Sequence, residues 1–167
     1  MSSKEFKVIG FIGLGVMGCS MSKNLLKNKN WNVLVKDLDV NKEKELENHG
    51  AKVADDVKDI FKLSDLVITC LPGGNFVEDL YFGKSNNISN IKNNQFIVDM
   101  STSQPDLMIR LEDEIKTKGS HFADAPIART RQAAIDGTLA IMVGSTTNVY
   151  NCLLYTSRAH ETKTDLV

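Results

Sequence analysis

The sequence predicts an α/β chain: a doubly wound, mostly parallel sheet with helices on both faces. Short apolar runs rich in β-branched residues alternate with amphipathic stretches, the pattern of repeated strand and helix units. The runs are also almost continuously hydrophobic, as strands covered on both faces must be.

Phe6 to Ile12 reads as the first strand and Met17 to Lys29 as the helix behind it. Val33 to Val35 is the second strand, Asn41 to His49 a helix, and Ala51 to Val53 a short further strand. Val57 to Leu63 reads as helical, Leu66 to Leu71 as strand, Phe76 to Phe82 as helical, and Phe96 to Met100 as strand. The helix predicted from Pro105 to Lys118 is the clearest. Leu107, Leu111 and Ile115 recur one turn apart, while Arg110, Glu112, Asp113, Glu114 and Lys116 take the other face. His121 to Ala123 and Leu139 to Val143 complete the strands. No solenoid repeat or interior linker interrupts this order, so one domain is expected.

The chain has 167 residues, 42% hydrophobic and 25% charged, enough to bury an ordinary core. A formal net charge of -1 gives no global pull toward nucleic acid or an anionic membrane. No window approaches a membrane span, and Met1 to Lys7 leads straight into a strand without the apolar stretch of a signal peptide. Cys19, Cys70 and Cys152 form no ligand-spaced pair, which suits a reducing compartment; a cytoplasmic location is expected. His49, His121 and His160 have no partners at recognisable spacing, so neither a metal site nor a catalytic triad is expected. Cys70, inside an apolar strand, reads as packing, whereas Cys19 in the first helical turns could gain thiolate character.

Between the first strand and its helix stands Gly13-Leu14-Gly15-Val16-Met17-Gly18. Glycine at these positions permits a tight turn, close approach of backbone to a pyrophosphate, and close helix packing, while the helix N-terminus offers free N–H groups. Asp37 follows 24 positions after Gly13, at the end of the second strand. A carboxylate there suits adenosine ribose hydroxyls and repels a 2′-phosphate, so NAD is expected and NADP disfavoured. Asp39 is a competing acid. Together these features predict a Rossmann-type dinucleotide-binding domain.

The run from Phe11 to Leu26, with Met17, Met21, Asn24 and Leu25 in place, resembles the signature of the β-hydroxyacid dehydrogenase family. Further similarities follow in order: Gly50-Ala51, Leu71-Pro72, Asp99 to Pro105, Asp124-Ala125-Pro126, and Gly137 to Gly144. The resemblance implies reversible hydride transfer between NAD and a small anionic hydroxy acid or its aldehyde. It places Leu71, Pro72 and Thr102 on the nicotinamide side and Ser101 toward the substrate. From the residues alone, Ser101 to Ser103 read first as a helix N-cap before Pro105, and a cap can also face a ligand.

Most members carry Ser-Gly-Gly where this chain has Ala128-Arg129-Thr130, followed by Arg131. The departure looks like the branch of sulfolactaldehyde and tartronate semialdehyde reductases. Arg129, with Thr130 beside it, is the candidate anion clamp, because a guanidinium fork matches a carboxylate, sulfonate or phosphate; the alternative is a surface arginine. Arg131 reads as a solvated charge at a helix start.

The resemblance also implies a lysine acid, with an asparagine one turn onward, in a helical region and second domain after the sheet. Neither of those segments is present before residue 151, and Lys163 fits no motif. No catalytic residue is therefore assigned; a fragment with weak NAD affinity and no turnover is expected, with oligomers confined to the full-length enzyme. The missing helical domain is expected to leave apolar surface uncovered, so poor solubility or self-association of this chain is expected. Cys152 to Thr162 can be back-translated almost wholly as a sequencing-library adapter, beginning TGTCTCTTATACACATCT, so residues 152–167 are expected to be read-through. The other possibilities are a noncatalytic NAD-binding module and a decarboxylating enzyme of the phosphogluconate dehydrogenase type, which typically has Ala where this chain has Gly15.

Overall fold

The computed structural model describes residues 5–158. Its elements are β1 (Val8–Ile12), α1 (Val16–Leu25), β2 (Asn32–Lys36), α2 (Val40–Glu47), β3 (Lys52–Val53), α3 (Val57–Leu63), β4 (Leu66–Thr69) and α4 (Gly74–Phe82). A 3-10 turn (Asn87–Asn90) precedes β5 (Phe96–Asp99), α5 (Pro105–Thr117), β6 (His121–Asp124), β7 (Ile127–Ala128), α6 (Arg131–Asp136), β8 (Ala140–Ile141) and α7 (Thr147–Arg158).

Six strands pair in the order β3-β2-β1-β4-β5-β6, parallel throughout. Alternate residues of a strand enter different apolar clusters. Val33, Val35, Ile68 and Val98 pack on the side of α1, α2 and α7, whereas Leu34, Val67 and Ile97 pack with Ile60, Val77, Tyr81, Leu111 and Ile115 from α3, α4 and α5. Both faces are therefore buried, which explains why the strand runs lack a polar alternation. The order reverses between β1 and β4, so the loops leaving these neighbouring strands diverge to opposite faces and open a crevice at their carboxyl ends.

The expected strand Leu139 to Val143 is cut to the two residues of β8, which pair antiparallel with β7 in a separate ribbon. That ribbon meets β6 through the bridge between Asp124 and Gly144. Ile141, Met142 and Val143 are exposed, so the apolar run is not the interior strand its composition suggested. The predicted helix to Lys29 ends instead at Leu25, and Asn28 Oδ1 then accepts the Asn30 N–H at 3.0 Å in a local turn.

α7 runs across the position where read-through was expected to begin, and Cys152 and Leu153 pack against the α1-side cluster. His160 and Lys163, with the rest of 159–167, lie outside the described residues. Among the described residues no helix is long and apolar enough to cross a membrane.

Candidate functional site

The glycine turn sits at the mouth of the crevice. Gly13 has φ +95, and a Cβ there would collide with the Cys70 carbonyl oxygen. A Cβ on Gly18 would collide with the Gly13 carbonyl oxygen, so α1 seats directly on the turn. Around Gly15 the opposite holds: a Cβ would meet nothing within 4 Å. Gly15 is also the N-cap of α1, which has no side-chain cap and no acidic residue in its first turn. The turn thus presents open backbone and the positive end of a helix to one space, the arrangement that receives a pyrophosphate. Leu14 is buried, Met17 half-buried, and the Val16 side chain faces outward.

Asp37 follows β2 and reaches across to this turn. Its Oδ2 accepts the Leu14 N–H at 2.5 Å and its Oδ1 the Asp39 N–H at 2.8 Å. Asp39, the other acid, instead caps α2 by accepting the Asn41 N–H at 3.0 Å. The geometry therefore separates two carboxylates that composition could not. It also brings in a residue the sequence did not announce, Glu43. This buried carboxylate accepts the Asp37 N–H at 3.1 Å and pairs with Lys36 at 3.1 Å, pinning the end of β2. Its only sequence signal is an acid one turn inside a helix that follows Lys36-Asp37.

On the other side of the switch point, Leu71 and Pro72 leave β4 while Ser101 and Thr102 leave β5. The Leu71 N–H donates to Ser101 Oγ at 2.9 Å, and the Ser101 hydroxyl donates to Asp99 Oδ1 at 2.8 Å. Thr69 Oγ1 donates to the same Asp99 oxygen at 2.5 Å. Asp99 is fully buried, and burial pushes its carboxyl above the ordinary range despite these donors, with Asp124 adding to the rise. Burial, with help from Asp99, also pushes the Cys70 thiol up to about 11, so Cys70 stays protonated and unreactive at neutral pH. Thr102 and Pro72 are exposed along this wall. The N-cap expected among Ser101 to Ser103 is displaced: Gln104 holds the cap position of α5 without a side-chain bond, Ser101 is committed to Asp99 and Leu71, and the Ser103 hydroxyl has no partner among the described residues.

Arg129 adopts φ +90, and its Nη1 donates to the Thr138 carbonyl at 3.2 Å while the side chain remains exposed. Thr130 is the N-cap of α6, its Oγ1 accepting the Ala133 N–H at 3.4 Å. Asn24 Nδ2 donates to the Ala134 carbonyl at 2.8 Å and ties α6 to α1. Arg131 lines a groove along α1 that begins at Leu14, Gly15 and Val16. Cys19 departs from the sequence expectation: burial first, then Glu45, pushes its thiol up, outweighing Lys23 and Lys42.

Residues 8–155 match a family described as the NAD binding domain of 6-phosphogluconate dehydrogenase. The chain is 41% identical over 138 residues to the uncharacterized oxidoreductase YkwC of Bacillus subtilis, covering 83% of this chain and 48% of that protein. It is 33% identical to the 3-sulfolactaldehyde reductase of Escherichia coli, covering 83% and 46%. To the mitochondrial 3-hydroxyisobutyrate dehydrogenase of Rattus norvegicus it is also 33% identical, covering 85% and 42%. The solved 3-hydroxyisobutyrate dehydrogenase of Mycobacterium tuberculosis, with L-serine, superposes at a TM-score of 0.80 with 27% identity, covering 87% of this chain and 48% of that one. The chain spans about half the length of the curated relatives it matches. With a glycine turn built for a pyrophosphate at a topological switch point, and these relatives, the chain belongs to the β-hydroxyacid dehydrogenase family of oxidoreductases and carries its NAD(P)-binding domain.

Proposed function

We propose that this domain binds NAD(H) and serves hydride transfer between that cofactor and a small anionic 3-hydroxy acid or the corresponding aldehyde. The observation that carries the cofactor choice is Asp37, a carboxylate at the end of β2 bonded to the Leu14 amide of the glycine turn. Fixed there, it accepts from ribose hydroxyls and repels a 2′-phosphate. The backbone from Gly13 to Gly18 receives the pyrophosphate, and Leu71, Pro72 and Thr102 wall the nicotinamide side. When bound, the dinucleotide supplies the hydride acceptor for oxidation and the hydride donor for reduction. Arg129 and Thr130 hold the substrate's anionic group; the reductase of sulfolactaldehyde among the relatives supports an anionic three-carbon aldehyde.

No proton donor for the forming alkoxide stands among the proposed site residues, so the isolated chain is expected not to turn over. Residues from Cys152 onward are proposed as adapter read-through; amplification of the source locus without adapters tests this, and native codons through Val167 would refute it. The cofactor reading is tested by titrating the chain with NADH and NADPH and following ligand fluorescence. NADH should bind about tenfold tighter or more, and Asp37→Ser should erode the difference. Equal or tighter binding of NADPH to the unsubstituted chain would sink the NAD assignment.

A further inference from the structure

We propose, resting on the dinucleotide reading above, that Asp99 is a positioning residue of the cofactor cleft. By taking the single hydroxyl proton of Ser101, it makes Ser101 an acceptor-only group toward any ligand and fixes the loop at Leu71 and Pro72.

A serine hydroxyl has one proton and two lone pairs. The Ser101 proton goes to Asp99 Oδ1 at 2.8 Å, and one lone pair takes the Leu71 N–H at 2.9 Å. That direction is forced, because an amide N–H can only donate and the carboxylate oxygen accepts from Thr69 as well. A single lone pair remains, on a residue only 2% exposed. The anchor itself is rigid. Asp99 ends β5 and is the register partner of Thr69, which ends β4, so both are held by the ladder of the sheet. Pro72 has no N–H, which leaves the Leu71 amide as the donor that ties the loop across to the β5 side.

The chemical consequence concerns what Ser101 can touch. Donating to a substrate carbonyl or carboxylate oxygen instead would leave Asp99 with Thr69 as its side-chain donor, in a fully buried carboxyl whose Oδ2 already has no partner among the described residues. Ser101 can accept from an N–H, such as that of the nicotinamide carboxamide. The donor on this wall is its neighbour Thr102, whose side chain is exposed and free of the Asp99 network. Ser101 therefore belongs to the cofactor side of the cleft, and its orientation is set from behind by Asp99.

The test compares NADH with ADP-ribose, which keeps the adenosine and pyrophosphate groups but lacks nicotinamide. Affinities of the 167-residue chain are measured for both ligands with Ser101→Ala, Asp99→Ala, Asp99→Asn and the double Ala variant. Ser101→Ala and Asp99→Ala should each weaken NADH by about tenfold while ADP-ribose stays within about twofold, and the double variant should be no worse than either single one. Asp99→Asn, whose amide oxygen accepts the same proton, should restore NADH binding to within about twofold of the unsubstituted chain. Equal losses for both ligands would mean general loosening and would overturn the proposal, as would undiminished NADH binding by Ser101→Ala. If Asp99→Ala does not fold, Ser101→Ala and Asp99→Asn decide the matter alone. An unsubstituted chain that binds neither ligand refutes the dinucleotide reading itself, visible before any variant is compared, and the positioning role falls with it.

Discussion

Arg129 holds a backbone conformation, φ +90, that glycine adopts freely and other residues rarely do. Such a residue costs about 1–3 kcal/mol and persists only where the surrounding structure over-determines it. Arg129→Gly should therefore raise stability by about 1 kcal/mol in a denaturant titration while removing the guanidinium proposed as the anion clamp. A variant no more stable than its parent would contradict the strain argument. Asp99 makes a second prediction. Its folded carboxyl is raised by burial, so it contributes most while neutral, and that contribution drains as pH rises from the ordinary carboxyl value of ~3.9 through the raised folded one. Thermal midpoints should fall across that window and fall less in Asp99→Asn, with Asp124, also raised by burial, keeping part of the slope. Gly13, Gly15, Gly18 and Asp37 were legible as spacing because the turn chemistry is local. The role of Asp99 was not, since its partner Thr69 lies 30 residues away in sequence.

At the scale of elements, α1 shows how a local preference can lose to a contact. In an exposed helix, glycine to alanine gains about 1 kcal/mol. At Gly18 the added Cβ would land on the Gly13 carbonyl oxygen, and overpacking against backbone costs about 1–3 kcal/mol or more. Gly18→Ala should therefore lower the urea midpoint and weaken NADH binding together, because α1 is pushed off the turn; an unchanged midpoint would show that the helix can shift freely. The helices of the main sheet were legible in the same local terms, α5 most clearly from Leu107, Leu111 and Ile115. The ribbon of β7 and β8 was not. Its strands are two residues each, below what periodicity can register, and the apolar run from Leu139 gave no sign that its centre is exposed. Of α6 only the start, Arg131, was legible, since six residues to Asp136 carry too little pattern to set its length.

The whole molecule exposes Ile141, Met142 and Val143 beside an apolar groove that Met100 and Tyr150 also line. Contiguous apolar surface of this kind favours association. Sedimentation velocity should show mass increasing with concentration, and Ile141→Lys with Val143→Lys should suppress the increase. A monomer at every concentration would contradict it. The crevice exists only at this scale: the glycine turn after β1 and the loop after β4 leave neighbouring strands toward opposite faces because the strand order reverses between them.

By itself the sequence determined the alternating α/β architecture, the dinucleotide turn and the family resemblance, because apolar periodicity and glycine geometry act over a few residues. Tertiary structure alone decided that Asp37, and not Asp39, meets the turn, that Glu43 braces it, and that Ser101 answers to Asp99 and Leu71 instead of capping α5. These are contacts between strand ends far apart in the chain, and which oxygen meets which amide is fixed only when the parallel ladder sets their register.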